Sequence, residues 1–173
     1  MSKMSNQRPR GRDKLFALLA DLPEEERKLV ELAHKLAERA HADQFRDDGS
    51  EYIEHPVGAA LIFVEEFGGR DARIVVGALL HDAREDSGER KSSNMLLLST
   101  IEKHFGEEVA LDNHVLTRFE KGESVGANLR RIVTRGPETM LMKLLDCLNN
   151  MRTLSNCVPA KQRRQIEKTR QHR

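Results

Sequence analysis

Apolar residues recur three and four positions apart along most of this chain, and no stretch alternates convincingly with period two, a pattern that predicts helices and no sheet. A short amphipathic helix or turn is expected over residues 13–22. The next helix opens with Asp21, Pro23 and three glutamates and runs to about Gln44 on an apolar face of Leu29, Ala33, Leu36, Ala37 and Ala40. Acids there suit the positive end of the helix dipole, and a proline in the first turn loses no hydrogen bond. After the polar break RDDGSEY, Pro56 opens VGAALIFVEEF, which Gly68 and Gly69 close. A central helix from about Asp71 carries the apolar run IVVGALL. It is followed by MLLLSTIEKHF, EEVALDNHVLTRF, a helix over residues 128–134, a long helix opened by Pro137, and a last, almost wholly polar helix opened by Pro159. The expected fold class is all-α, without internal repeats.

The length of 173 residues suits one domain that buries a core of several helices without disulfides. Lys plus Arg, 29, nearly balances Asp plus Glu, 28, so net charge points to neither nucleic acid nor membrane. Residues 1–12, MSKMSNQRPRGR, are basic with no acid and no apolar core, and read as a flexible tail, not a secretion signal or anchor. No apolar run approaches the roughly 18 residues that cross a bilayer. Cys147 and Cys157 are the only cysteines and lack metal-ligand spacing, which points to a reducing compartment, the cytoplasm.

The chemistry concentrates where the central apolar run stops, in GALLHDAREDS at residues 77–87. An imidazole and three carboxylates at the end of a core helix need compensation, because an unpartnered buried charge costs several kcal/mol. A metal cation would supply it. On a helix, residues four apart share a face, so His81 lies below Glu85 and Asp82 below Asp86, one pair for a metal and one for a proton. The bland alternative for Arg84, Glu85 and Asp86 is a surface ion-pair cluster. Two further residues could reach the same ion: His55, just before Pro56, and Asp146, which interrupts the apolar face of KLLDCLNNM. Two imidazoles and two carboxylates suit manganese or iron better than a closed zinc site. His34, His104, His114 and His172 sit on charged or mixed faces and read as solvated or capping residues. Cys147 reads as a small apolar filler.

An early His, an adjacent His-Asp pair and a late Asp resemble the HD-domain phosphohydrolases. More closely, AHADQFR, GSEYIEHPV, ALLHDAREDS, FGEEVA, NLRRIV and KLLDCLNNMRTL are similar, in that order, to the hydrolase domain of the RelA/SpoT family, which removes pyrophosphate from the 3′ position of ppGpp and pppGpp. The resemblance implies an HD helical bundle over residues 13–173 with a single metal site. It implies His55, His81, Asp82 and Asp146 as ligands of manganese, and Glu85 and Asp86 as the acids that orient and deprotonate the attacking water. It implies Arg46 against the guanine base, with Asn150 and Thr153 lining the nucleotide pocket. Asp146, Asn150 and Thr153, four and three apart, fall on one helical stripe, in agreement. Tyr52 and His41 also match family positions and are expected to be structural. The chain's end soon after the Pro159 helix resembles the small stand-alone hydrolases.

The departures from the family pattern are specific. The family has a lysine and a serine or threonine after the pocket arginine, where this chain has Asp47 and Asp48. An anion replacing a cation about 6 Å from a phosphate would cost about 1 to 3 kcal/mol in a partly solvated site. In the late helix, Asp-Arg-Leu-His-Asn becomes Asp146, Cys147, Leu148, Asn149 and Asn150. Arg84, Lys143 or Arg152 could supply replacement cations. The expected partner is a small nucleotide, with no membrane or nucleic acid. Two alternatives stand beside alarmone hydrolysis: a nucleotide-binding module that keeps the fold and metal without turnover, and an HD phosphatase for another phosphorylated nucleotide.

Overall fold

The structure, a computed structural model, describes residues 11–84, 96–117 and 125–170, and among these nine α-helices and no strand. They are α1 (Gly11–Leu18), α2 (Glu24–Ala40), α3 (Glu54–Leu61), α4 (Ala72–Leu80), α5 (Leu98–Phe105), α6 (Glu107–Leu116), α7 (Val125–Arg135), α8 (Pro137–Arg152) and α9 (Pro159–Arg170). No described helix is long and apolar enough to cross a membrane.

Helix α4 is the centre of the bundle, with α2, α3, α6 and α8 packed around it. All its residues but Arg73 are buried, as its near-continuous apolar run requires. The Asp71 carboxylate starts it by accepting from the backbone N–H groups of Arg73 (2.8 Å) and Ile74 (3.4 Å). Gly77 lets α8 come close: a Cβ there would lie 2.3 Å from Met142 Sδ. That approach brings the end of α4 beside Asp146.

Two helix boundaries differ from the sequence reading, and both bear on the site. Helix α3 begins at Glu54, not Pro56, so His55 lies inside the first turn; Pro56 is still among positions whose N–H has no intrahelical partner. Helix α4 stops at Leu80 and residues 81–84 form a turn, so His81 and Asp82 do not stand on a helix continuing toward residue 86. The Leu80 carbonyl, which a continuing helix would offer to residue 84, instead accepts from Ala83 N (3.0 Å) and from the Asn113 side chain of α6 (2.6 Å). Other differences are local. His34 is buried, its ring edge-on to Phe16 at 5.6 Å, whereas His104 and His114 are exposed. Cys147 is exposed on α8 and fills no core space. His172 lies outside the described residues.

An ion network ties four helices together on the side of α4 that faces α6. Asp112 of α6, 0% exposed, accepts from Arg73 Nε of α4 (2.9 Å) and Thr139 Oγ1 of α8 (2.7 Å), and pairs with Arg135 of α7 at 3.1 Å. Glu108 bridges the same two arginines, at 3.2 and 2.7 Å. Removing one member of such a buried set leaves the others uncompensated. Asp112→Ala is therefore expected to destabilise the fold by about 3 kcal/mol, measured as a lowered urea midpoint. A loss under about 1 kcal/mol would show that Glu108 alone can hold both guanidinium groups.

Candidate metal centre and adjoining pocket

His81 is the first residue after α4. Its Nδ1 lies 2.8 Å from the Ala78 carbonyl oxygen, which fixes the ring and turns Nε2 inward. His55, 3% exposed in the first turn of α3, brings its own Nε2 to 3.2 Å from that of His81. Asp82 Oδ2 lies 3.3 Å from His55 Nε2 and 3.2 Å from His81 Nε2. Asp146 Oδ1, from α8, lies 3.3 and 3.5 Å from the same two nitrogens. The four residues expected to converge from three segments do so. His55, His81 and Asp82 each offer a ligand atom within 4.8 Å of the others.

The donor set fits a divalent cation. Two imidazole nitrogens and two carboxylate oxygens packed this closely must have protons or a cation among them, and mixed nitrogen and oxygen donors suit a first-row metal. The electrostatics agree. Burial opposes the charge on His81, but Asp82 and Asp146 outweigh it and hold the ring's pKa well above the ordinary histidine value. His55 is also raised: burial lowers it, but Asp146 and Asp82 prevail. The two carboxyls are held well below their usual range, burial again opposing and the histidines prevailing.

A cation bound here would compete with protons for the two histidines, whose pKa values the carboxylates raise. Apparent affinity for a divalent cation should therefore strengthen as pH rises toward the raised histidine values and level off above them, checked by calorimetric titration across pH; a flat profile would contradict it. Without metal, stability runs the other way. The contribution of charged His81 is complete below its unfolded value of about 6.5 and is lost as pH rises through the higher folded value.

Each ligand candidate has a partner behind it. Tyr52 Oη donates to Asp82 Oδ2 at 3.0 Å, a structural role next to the site. Lys143 Nζ lies 2.7 Å from Asp146 Oδ2; burial opposes its charge, but Asp146 prevails and raises its pKa. Asn150 Nδ2 donates to Asp146 Oδ1 at 2.5 Å, and the Asn149 side chain meets His55 Nδ1 at 2.8 Å. His41, as expected, makes a structural contact, Nδ1 to Gln44 Oε1 at 3.3 Å, and lies against the Tyr52 ring with centroids 4.6 Å apart. The sequence offers Lys143 as a replacement cation, and the structure pairs it with Asp146. Its spacing three before Asp146 could have revealed Lys143 as that residue's partner.

Beside the cluster lies a cavity of about 140 Å³ whose lining includes Arg46, Asp47, Tyr52, Asn150, Thr153 and Lys161. Arg46 Nη2 donates to Thr153 Oγ1 at 2.8 Å, so all three residues expected to meet a nucleotide face one space. Asp47 and Asp48 are already partnered. Lys161 of α9 pairs with Asp47 at 3.1 Å and holds its carboxyl below the usual range. Asp48 accepts from Ser50 Oγ (2.6 Å), Ser50 N (3.0 Å) and Asn156 Nδ2 (3.2 Å). Lys161 thus offsets the charge of Asp47, whereas the neutral donors around Asp48 hold its carboxylate in the charged form. Arg152 is engaged with Glu66. Glu85 and Asp86 lie outside the described residues.

A family model described as HD domain matches residues 33–172. The chain belongs to the HD-domain family. This HD domain is related to the RelA/SpoT hydrolase domains and to a small stand-alone ppGpp hydrolase. The human guanosine-3′,5′-bis(diphosphate) 3′-pyrophosphohydrolase MESH1 is 34% identical over 135 residues, covering 73% of this chain and 70% of its own length. The bifunctional (p)ppGpp synthase/hydrolase SpoT of Escherichia coli is 33% identical over 159 residues, 86% of this chain but 21% of its own. The bifunctional RelA of Mycobacterium tuberculosis is 34% identical over 151 residues, 85% of this chain and 20% of its own. The chain thus spans about a fifth of the length of these bifunctional relatives. A solved structure of a metazoan ortholog of SpoT has the same fold, with a TM-score of 0.67 at 22% identity over 86% of this chain and 83% of that one. Membership of the HD family implies a divalent metal, which fits the buried group of His55, His81 and Asp82.

Proposed function

We propose that this HD domain is a manganese-dependent hydrolase that removes the 3′-pyrophosphate of ppGpp and pppGpp, yielding pyrophosphate and GDP or GTP. The observation that carries this reading is the cluster of His55, His81, Asp82 and Asp146 next to the cavity that Arg46, Asn150 and Thr153 line. The relation to a 3′-pyrophosphohydrolase supports the substrate. Two free cysteines are consistent with action in the cytoplasm.

His55, His81, Asp82 and Asp146 would hold the metal. When bound, it supplies Lewis-acid polarisation of a phosphoryl oxygen and lowers the pKa of water. Glu85 or Asp86 takes the proton of the attacking water. Arg46 packs against the guanine base while Asn150 and Thr153 border the nucleotide. Lys143, held by Asp146, adds a fixed positive charge near a highly anionic substrate.

A second reading, a nucleotide-binding module that keeps the metal without turnover, is favoured by Asp47, Asp48, Cys147 and Asn149 standing where the RelA/SpoT pattern has other residues. The test is pyrophosphate release from ppGpp by purified protein with manganese. Release that chelation abolishes is expected. Nucleotide binding without release supports the module, and release of phosphate from a different phosphorylated nucleotide supports another HD phosphatase.

A further inference from the structure

Asn149 stands on α8, three residues beyond Asp146, and is buried. Its side-chain nitrogen lies 2.8 Å from His55 Nδ1 and 3.0 Å from the His55 carbonyl oxygen. The other ring nitrogen, Nε2, faces His81, Asp82 and Asp146 at 3.2, 3.3 and 3.3 Å. His55 therefore gives one nitrogen to the candidate metal cluster and one to Asn149.

A neutral imidazole carries one proton. To offer a lone pair at Nε2 it must carry that proton on Nδ1, where the proton needs an acceptor. With the amide nitrogen facing Nδ1, a neutral ring can accept from it only by carrying its proton on Nε2, the nitrogen a cation needs bare. Turning the amide about its last side-chain bond exchanges nitrogen for oxygen at nearly constant volume and supplies the acceptor. It also gives up the bond to the His55 carbonyl, so ligand readiness at Nε2 is tied to the first turn of α3. Gly58, one turn along α3, leaves space for the amide: a Cβ there would meet Asn149 Oδ1 at 2.7 Å.

We infer that Asn149 is the positioning residue that sets which nitrogen of His55 is free for the metal, and thereby sets the affinity of the cluster for a divalent cation. The substitution of an amide for the RelA/SpoT family's imidazole at this position is then a change of partner for His55 and not the loss of a substrate contact. This rests on the metal reading of the cluster but not on any particular nucleotide.

The test is calorimetric titration of the purified chain with manganese chloride alone, with the thermal midpoint in chelator as a control for folding. Asn149→Asp keeps an oxygen acceptor for Nδ1, whereas Asn149→Leu keeps bulk and removes it. The leucine variant should bind manganese about 10- to 100-fold more weakly, while the aspartate variant stays within about threefold of the parent chain. Gly58→Ala, which displaces the amide without touching the ring, should weaken binding in the same direction. If both Asn149 variants lose affinity equally, or neither does, the inference is overturned while the metal reading stands. If the parent chain itself binds no manganese, the metal reading fails and the inference with it.

Discussion

Asp82→Ala should leave a protein that carries no manganese and hydrolyses ppGpp no faster than background. Asp82 Oδ2 is the oxygen that both imidazole Nε2 atoms meet, at 3.3 and 3.2 Å, and the one that Tyr52 holds in place at 3.0 Å. Without it the two imidazoles have only Asp146 to set against their charge. Losing the metal removes several kcal/mol of transition-state stabilisation, a fall in turnover of about 10³-fold or more. The stabilisation that bound manganese would give the folded parent chain, about 2.7 kcal/mol at a hundredfold excess over Kd, should be absent from the variant. Metal content by mass spectrometry and pyrophosphate release, measured on the same samples, check this. Equal metal content in parent and variant would remove Asp82 from the ligand set.

Glu85→Ala should separate metal from chemistry. If Glu85 takes the proton of the attacking water, as proposed, it contributes about 10² to 10⁴ in turnover and nothing to metal retention. The variant should therefore keep a full complement of manganese and bind nucleotide, with kcat lowered by that factor. The same loss in Asp86→Ala with Glu85→Ala near normal would exchange their roles. A Glu85 variant stripped of metal would make that residue a ligand.

How far the sequence foretells the molecule varies along the chain for physical reasons. Asp146 was conspicuous because an acid between Leu145 and Leu148 interrupts an otherwise apolar face, and it is indeed buried against His55 and His81. The all-helical class followed from apolar spacing alone. The end of α4 could not be read locally, because the group that takes the Leu80 carbonyl is Asn113, supplied by a different helix. Asn149 and His55 are just as remote in sequence, as are Asp47 and Lys161, so their pairing emerges only from the tertiary fold. Cys147 was misjudged because α8 is apolar on its outer side too: Leu144 is 56% exposed and Met140 and Met151 are also exposed, so hydrophobicity does not reveal which side faces inward. Such a surface stripe is ordinary for a folded chain.

The most direct measurement is anomalous diffraction at the manganese edge from crystals of the chain grown with the ion. One peak should stand among His55 Nε2, His81 Nε2, Asp82 and Asp146, within bonding reach of each. Ordered electron density for those four side chains with the peak elsewhere, or with none, would contradict the assignment.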